Sequence, residues 1–246
     1  MKIAAVFALL LIAAGIVSAN DLHVLAPRNL RGIMMEVSNF YEKNNPGWHV
    51  KVRIGTSQEL SNLIVQGTPA DVFILNDDKT IDELKQHQIT TDIKPFLADD
   101  LVVVAPANSK LQIDQPSKLA FPELKGVALF EEDDPVGKSS RAYLTKIGVL
   151  GSIQSKIGIQ QNPKALVKSL QGGLTDWGIL YQSDAMDRPT LKVIYKIPPT
   201  DLAPHIYYLG SANKSAQKEA TQKFMATLQS TIIQKFFENA GFRILK

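Results

Sequence analysis

From residue 20 onward the chain alternates short apolar runs with stretches of helical periodicity. Leu22-His23-Val24-Leu25-Ala26 predicts a strand, and Asn29 opens a helix with Leu30, Ile33, Met34, Val37 and Tyr41 on one face. Asn44, Pro46 and Gly47 end it. His49 to Ile54 alternates as a second strand, and Ser57 is placed to cap a helix carrying Leu60, Leu63, Ile64 and Val65 that stops at Gly67. Asp71-Val72-Phe73-Ile74-Leu75 is a third, fully apolar strand, and Asp77 and Asp78 lead a short helix. Apolar strands between helices argue for a parallel sheet covered on both faces.

The second half repeats the theme. Pro95 marks a hinge-like stretch before the strand Leu101–Pro106. Val127–Phe130 predicts a strand, followed by an acidic loop and a helix from about Gly137 to Ile147. A helix from Asn162-Pro163 to Gly172-Gly173 comes next, then strands at Trp177–Tyr181, Leu191–Ile197 and His205–Leu209. Helices from Ala212 to about Leu228 and on to Asn239 complete the pattern. Two apolar crossing strands, near 101–106 and 205–209, predict one domain inserted into another: 20–102 with 206–246 as the first lobe, 103–205 as the second. The expected fold class is α/β, two lobes that are each a mostly parallel sheet flanked by helices, joined by a two-strand hinge with a cleft between them.

The first nineteen residues change the compartment. Lys2, the apolar run Ile3 to Val17 and then Val17-Ser18-Ala19 predict a secretory signal cleaved after Ala19. A buried helix or a membrane anchor is the competing reading, but the run is short of the ~20 apolar residues a span takes. With no Cys to carry a lipid, the expected product is free in the periplasm.

Composition narrows the chemistry. The chain has 45% hydrophobic and 21% charged residues, as globular proteins do, and a net charge of +3 without a basic run, so nothing calls for nucleic acid. The absence of Cys excludes thiol catalysis, disulfides and cysteine-held metal clusters. The four His, at 23, 49, 87 and 205, have no metal-site spacing. Val127 to Phe130 followed by Gly137-Lys138-Ser139 imitates half of a phosphate-binding loop, but Glu132 stands where that motif needs Gly. A secreted hydrolase using Ser57 or Ser139 lacks an activating His or acid and any GxSxG elbow, so an enzyme is not expected.

In open α/β sheets ligands bind beyond the carboxyl ends of the strands, where helix N-termini gather. Four such starts are visible: Ala26 to Asn29, Gly55 to Ser57, Asp134 to Gly137, and Asn162 to Lys164. Each offers backbone N–H groups and a partial positive charge that together suit an anion. Taken singly, each reads as a plain helix cap; their joint placement after successive strands is what points to a binding site.

Gly67-Thr68-Pro69-Ala70-Asp71-Val72-Phe73-Ile74 resembles the GxPADxFI signature of periplasmic molybdate-binding proteins of ABC importers. Leu101–Pro106, Gly178–Ala185 and Phe237–Phe242 add matches in order, so the resemblance covers essentially all of 20–246. It implies a type II periplasmic-binding fold that holds molybdate or tungstate, and the two crossing strands add the expectation of a monomer with hinge closure on binding. It also implies delivery to a permease with a cytoplasmic ATPase, with no cofactor beyond the bound oxyanion. Carried onto this chain, the family's donor positions fall at Asn29, where Ser is usual, at Ser57, at the N–H of Val136, at Pro163 and at Tyr181. Pro163 has no N–H, so Lys164 is the nearest substitute. These departures, with the acidic loop Glu131 to Asp134, keep open a scaffold re-tuned for another oxyanion or a small organic anion. Arg28, Lys138 and Lys164 either turn inward as charge-assisted donors or sit solvated at the rim. The acidic loop is either a solvated turn or an oxygen-ligand cation site.

Overall fold

The computed structural model describes residues 20–90 and 92–245; the predicted signal at 1–19 lies outside them. The chain runs through β1 (Asn20–Pro27), α1 (Arg31–Asn44), β2 (Trp48–Gly55), α2 (Ser57–Val65), β3 (Val72–Leu75), α3 (Asp78–Gln86), β4 (Ile93–Asp99) and β5 (Leu101–Pro106). It continues through β6 (Val127–Phe130), α4 (Pro135–Lys146), α5 (Leu150–Ile153), β7 (Ile157–Gln160), α6 (Pro163–Gln171), β8 (Trp177–Tyr181), α7 (Gln182–Met186) and β9 (Leu191–Lys196). β10 (His205–Ser211), α8 (Lys218–Leu228), α9 (Thr231–Asn239) and β11 (Arg243–Ile244) follow.

Two sheets form, ordered β11-β4-β10-β3-β1-β2 and β7-β6-β8-β5-β9. This is the expected two-lobed α/β arrangement, but the sheets are mixed rather than mostly parallel, because β4, β5, β9, β10 and β11 all join through antiparallel pairs. In each sheet three neighbouring strands pair in parallel, and the first strand laid down after a crossing, β5 or β10, inserts antiparallel. Alternation along the strands sorts the core. Leu22, Val24, Ala26, Val72 and Ile74 face α1, α8 and α9, whereas Leu25, Phe73 and Leu75 face α2 and α3. The second lobe builds its core around Val102, Val103, Val104, Leu129, Trp177 and Ile179.

The hinge differs from the expectation. The stretch around Pro95 is a strand, β4, at the carboxyl end of which the chain passes directly into the other sheet. Among the described residues β5 pairs only with β8 and β9, and β10 only with β3 and β4, so neither strand itself crosses. The crossings fall at Asp100 and in 197–204. Pro95 misled because proline loses a ladder donor, yet here its register partner is Tyr208, where the β4–β10 pairing is already irregular.

The matched signature is mostly structural. Gly67, at φ 85°, ends α2, and the N–H of Thr68 returns to the Leu63 carbonyl at 2.9 Å. Asp71 is buried, accepting from the His23 N–H at 2.8 Å and the Ser215 hydroxyl at 2.6 Å. It ties β1 and the approach to α8 onto β3.

Candidate functional site

The carboxyl ends of β1, β2 and β3 deliver Asn29, Ser57 and Asn76 to one side of the first sheet. Asn29 lies in a one-turn 3-10 helix and its Nδ2 donates to Tyr207 Oη at 2.6 Å. Ser57 opens α2, but the N-cap is Thr56, a correction to the sequence expectation. Thr56 and Glu59 form a reciprocal capping box, with Thr56 N–H donating to Glu59 Oε2 at 2.8 Å and Glu59 N–H to Thr56 Oγ1 at 3.2 Å. Freed from capping, the buried Ser57 hydroxyl donates to Asn76 Oδ1 at 2.6 Å and accepts from the Asn76 N–H at 2.9 Å. The Asn76 side chain also acts on the Tyr207 hydroxyl. Ser57, Asn76, Tyr207 and Asn29 are thus one chain of neutral polar groups. Burial pushes the Tyr207 hydroxyl well above its usual pKa, so it remains a donor.

The second lobe joins this chain through aromatic rings. Tyr181 ends β8, and its ring lies over His205 at 5.4 Å, tilted 32°. His205 meets Tyr207 edge-on at 5.3 Å, and Phe242 backs Tyr207 at 5.4 Å. The closing Phe237–Phe242 match therefore acts by supporting a ring at the site. Burial first, then the carboxylates of Asp99, Asp134 and Asp184, raise the Tyr181 phenol and keep it protonated.

Val136 is where expectation and structure differ most. Asp134 caps α4, its Oδ1 accepting from the Val136 N–H at 2.8 Å and the Gly137 N–H at 3.2 Å. The donor assigned to a ligand is already held by the protein's own carboxylate. Glycine is needed next door, because a Cβ at Gly137 would lie 1.8 Å from the Glu131 carbonyl oxygen. Glu132 pairs with Arg141, which also donates to the Phe130 carbonyl at 2.8 Å, so two of the four acids in this loop have structural partners. No group of three or more His, Asp or Glu able to hold a metal ion occurs among the described residues.

The remaining candidates lie at the rim. Arg28 is bound by Glu59 at 2.9 and 3.1 Å, both side chains more than half exposed. Asn162 caps α6 through the Ala165 N–H, at 2.9 Å, and Lys164 is exposed. Among the described residues nothing joins Lys164 to the Tyr181–Asn29 cluster. The structure therefore brings together Asn29, Ser57 and Tyr181, places Val136 beside Asp134, and leaves Lys164 apart. His205, Tyr207 and Asn76 were missed; their signal was polar and aromatic residues within or just beyond otherwise apolar strands.

The lobes meet at the crossing. Asp99, fully buried, accepts from the Ser183 hydroxyl at 2.6 Å and the Ser183 N–H at 3.1 Å. Burial lifts its carboxyl to about 7 against the pull of those bonds. Asp100 is held by Arg243 at 2.9 and 3.0 Å. Beside this junction an open cavity of about 770 Å³ is walled by Arg28, Asn29 and Ile33 on one side and Ser183, Asp184 and Met186 on the other.

Residues 22–243 match the profile of bacterial extracellular solute-binding proteins. A Bacillus subtilis lipoprotein ascribed to ABC-transporter substrate binding is 26% identical, over 90% of this chain and 85% of the relative. The molybdate-binding protein ModA of Haemophilus influenzae is 24% identical, over 89% of this chain and 88% of the relative. A solved substrate-binding domain from Clostridium difficile, ascribed to a molybdenum ABC transporter, superposes with a TM-score of 0.86 at 26% identity. That superposition covers 92% of this chain and all but 1% of the other, 99%. The fold is that of the type II periplasmic binding proteins.

Proposed function

Because the chain belongs to the bacterial extracellular solute-binding proteins, we propose that it captures molybdate between its two lobes and presents it to an ABC importer. The carrying observation is the cluster of neutral polar groups from Ser57 through Asn76 and Tyr207 to Asn29, continued by His205 and Tyr181. Fixed dipoles at strand ends hold a tetrahedral oxyanion without a permanent countercharge. On this reading the protein binds rather than transforms its ligand, tungstate is accepted with molybdate, and a monomer closes by rotation about Asp100 and 197–204. Cleavage after Ala19 releases it into the periplasm, where a permease with its ATPase receives the anion. Similarity to a molybdate-binding protein along nearly the whole chain supports the choice of ligand.

A second reading, the same scaffold serving another anion, is favoured by the Asp134 carboxylate on the Val136 N–H and by Pro163, which has no N–H to give. A thermal-shift titration with molybdate, tungstate, sulfate and phosphate separates the two. Ligand at 100 times its dissociation constant stabilises by about 2.7 kcal/mol. Stabilisation by molybdate and tungstate but not sulfate is expected. Silence from both metal oxyanions with a response to another anion would install the second reading.

A further inference from the structure

The cluster contains several carboxylates, and among the described residues only one of them, Asp184, is paired with a cation. Asp77 and Asp78 act on His205 from the end of β3 and the start of α3. Asp99, the register partner of His205 on β4, acts on both Tyr181 and Tyr207. Asp134 and Asp184 act on Tyr181 from the loop before α4 and from α7. Of the basic groups nearby, Arg28 is taken by Glu59, Arg243 by Asp100 and Arg188 by Asp184. A dianion brought into such surroundings meets repulsion that neutral hydrogen bonds offset only in part.

One side chain in the cluster can change this. His205 opens β10, half-buried, between the Tyr181 ring of one lobe and the Tyr207 ring of the other. We propose that His205 is a specificity-determining residue that supplies the cleft's positive charge on demand, so that capturing an oxyanion takes up a proton. The inference rests on the anion-binding reading above. In the free protein desolvation is the first influence on the imidazole and holds its pKa below the usual value, with Asp77 and Asp78 pulling the other way. His205 is then neutral at pH 7. An oxyanion beside it adds negative charge, raises its pKa and favours the imidazolium, so affinity grows as pH falls. Each unit of rise on binding corresponds to about tenfold in affinity. The device also selects: an anion whose charge reaches His205 gains from it, and a neutral oxyacid does not.

The test is calorimetric titration of the whole protein with molybdate, tungstate and sulfate from pH 5.5 to 8, in two buffers of different ionisation enthalpy. The wild type is expected to bind about tenfold tighter at the acid end and to take up a fraction of a proton. In His205→Gln both effects should largely disappear. Asp99 titrates in the same window, so Asp99→Asn is run alongside; its remaining pH dependence belongs to His205. Equal slopes and equal uptake in wild type and His205→Gln would overturn the inference while leaving the ligand reading intact. Should the variant not fold, the imidazole proton resonance of His205 in the wild type, followed with and without molybdate, replaces it. An unchanged midpoint then overturns the inference. No binding of any anion at any pH defeats the ligand reading itself, and this inference with it.

Discussion

The Asp134 carboxylate sits 2.8 Å from the backbone nitrogen of Val136, on the N–H that the family resemblance assigns to an oxyanion. On the anion-binding reading proposed above, the protein carries an internal occupant of part of that site. A ligand that uses this donor must first displace Asp134 and then tolerate its charge.

Replacing Asp134 with Ala removes both obstacles. Molybdate affinity measured by calorimetry is expected to rise about three- to tenfold, since a competing hydrogen bond is worth about 0.5–1.5 kcal/mol. The same change removes the cap of α4, and the protein should lose about 1 kcal/mol of stability. Asp134→Ser keeps a cap without the charge and should gain affinity at smaller cost.

Gly137→Ala should be worse than any polar change nearby. Its Cβ would fall inside the Glu131 carbonyl oxygen, so the start of α4 has to shift away from the loop. A fall in melting temperature of several degrees, together with weaker anion binding, is expected from thermal-shift titration.

Asp71 lies within the most specific stretch of matched sequence, yet its two contacts are with His23 and Ser215. Asp71→Ala should cost about 2–3 kcal/mol by chemical denaturation, because a buried hydroxyl and a part-buried N–H lose their side-chain acceptor. The affinity of the folded fraction should be unchanged. A large loss of affinity at full stability would move Asp71 into the site.

Asp99 gives a pH dependence of stability with a definite sign. Its carboxyl has a pKa of about 7 in the folded protein, against an ordinary value of 3.8. Between those values the folded state binds more protons than the unfolded one, so stability contributed by this group is present at low pH and is lost as pH rises toward 7. The melting temperature of the wild type should decline between pH 5 and 8, and Asp99→Asn should flatten that decline.

Much of this fold was legible because its strands are short, apolar and bounded. β1, β3, β6 and β8 each read as a run between helix signals, and the buried faces follow the two-residue alternation. β4 was not legible, because Pro95 speaks against a strand unless the neighbouring strand shifts register there, and β10 does so between Tyr207 and Tyr208. The weakly apolar β7, at the edge of its sheet, went unseen for want of buried positions. At the site, Asn29, Ser57 and Tyr181 were accessible from strand ends and the family resemblance. The role of Ser57 was not, since choosing Thr56 as the cap takes knowledge of the Glu59 return bond. Asn76 and His205 matter through Ser57 and Tyr181, partners distant in sequence that no local pattern reveals.

The strand order of the first sheet dictates a sequence of events as the chain emerges. β10 lies between β3 and β4, although 129 residues separate the end of β3 at Leu75 from His205 at positions 76–204. Until β10 arrives, β3 presents an unpaired edge built of Val72, Phe73, Ile74 and Leu75, all buried in the finished protein. Such an edge is a template for pairing with other chains. The second sheet, made of one uninterrupted segment, has all its strands in hand earlier. The lobe that starts first is therefore completed last, and a chain halted midway exposes its most apolar strand to its neighbours.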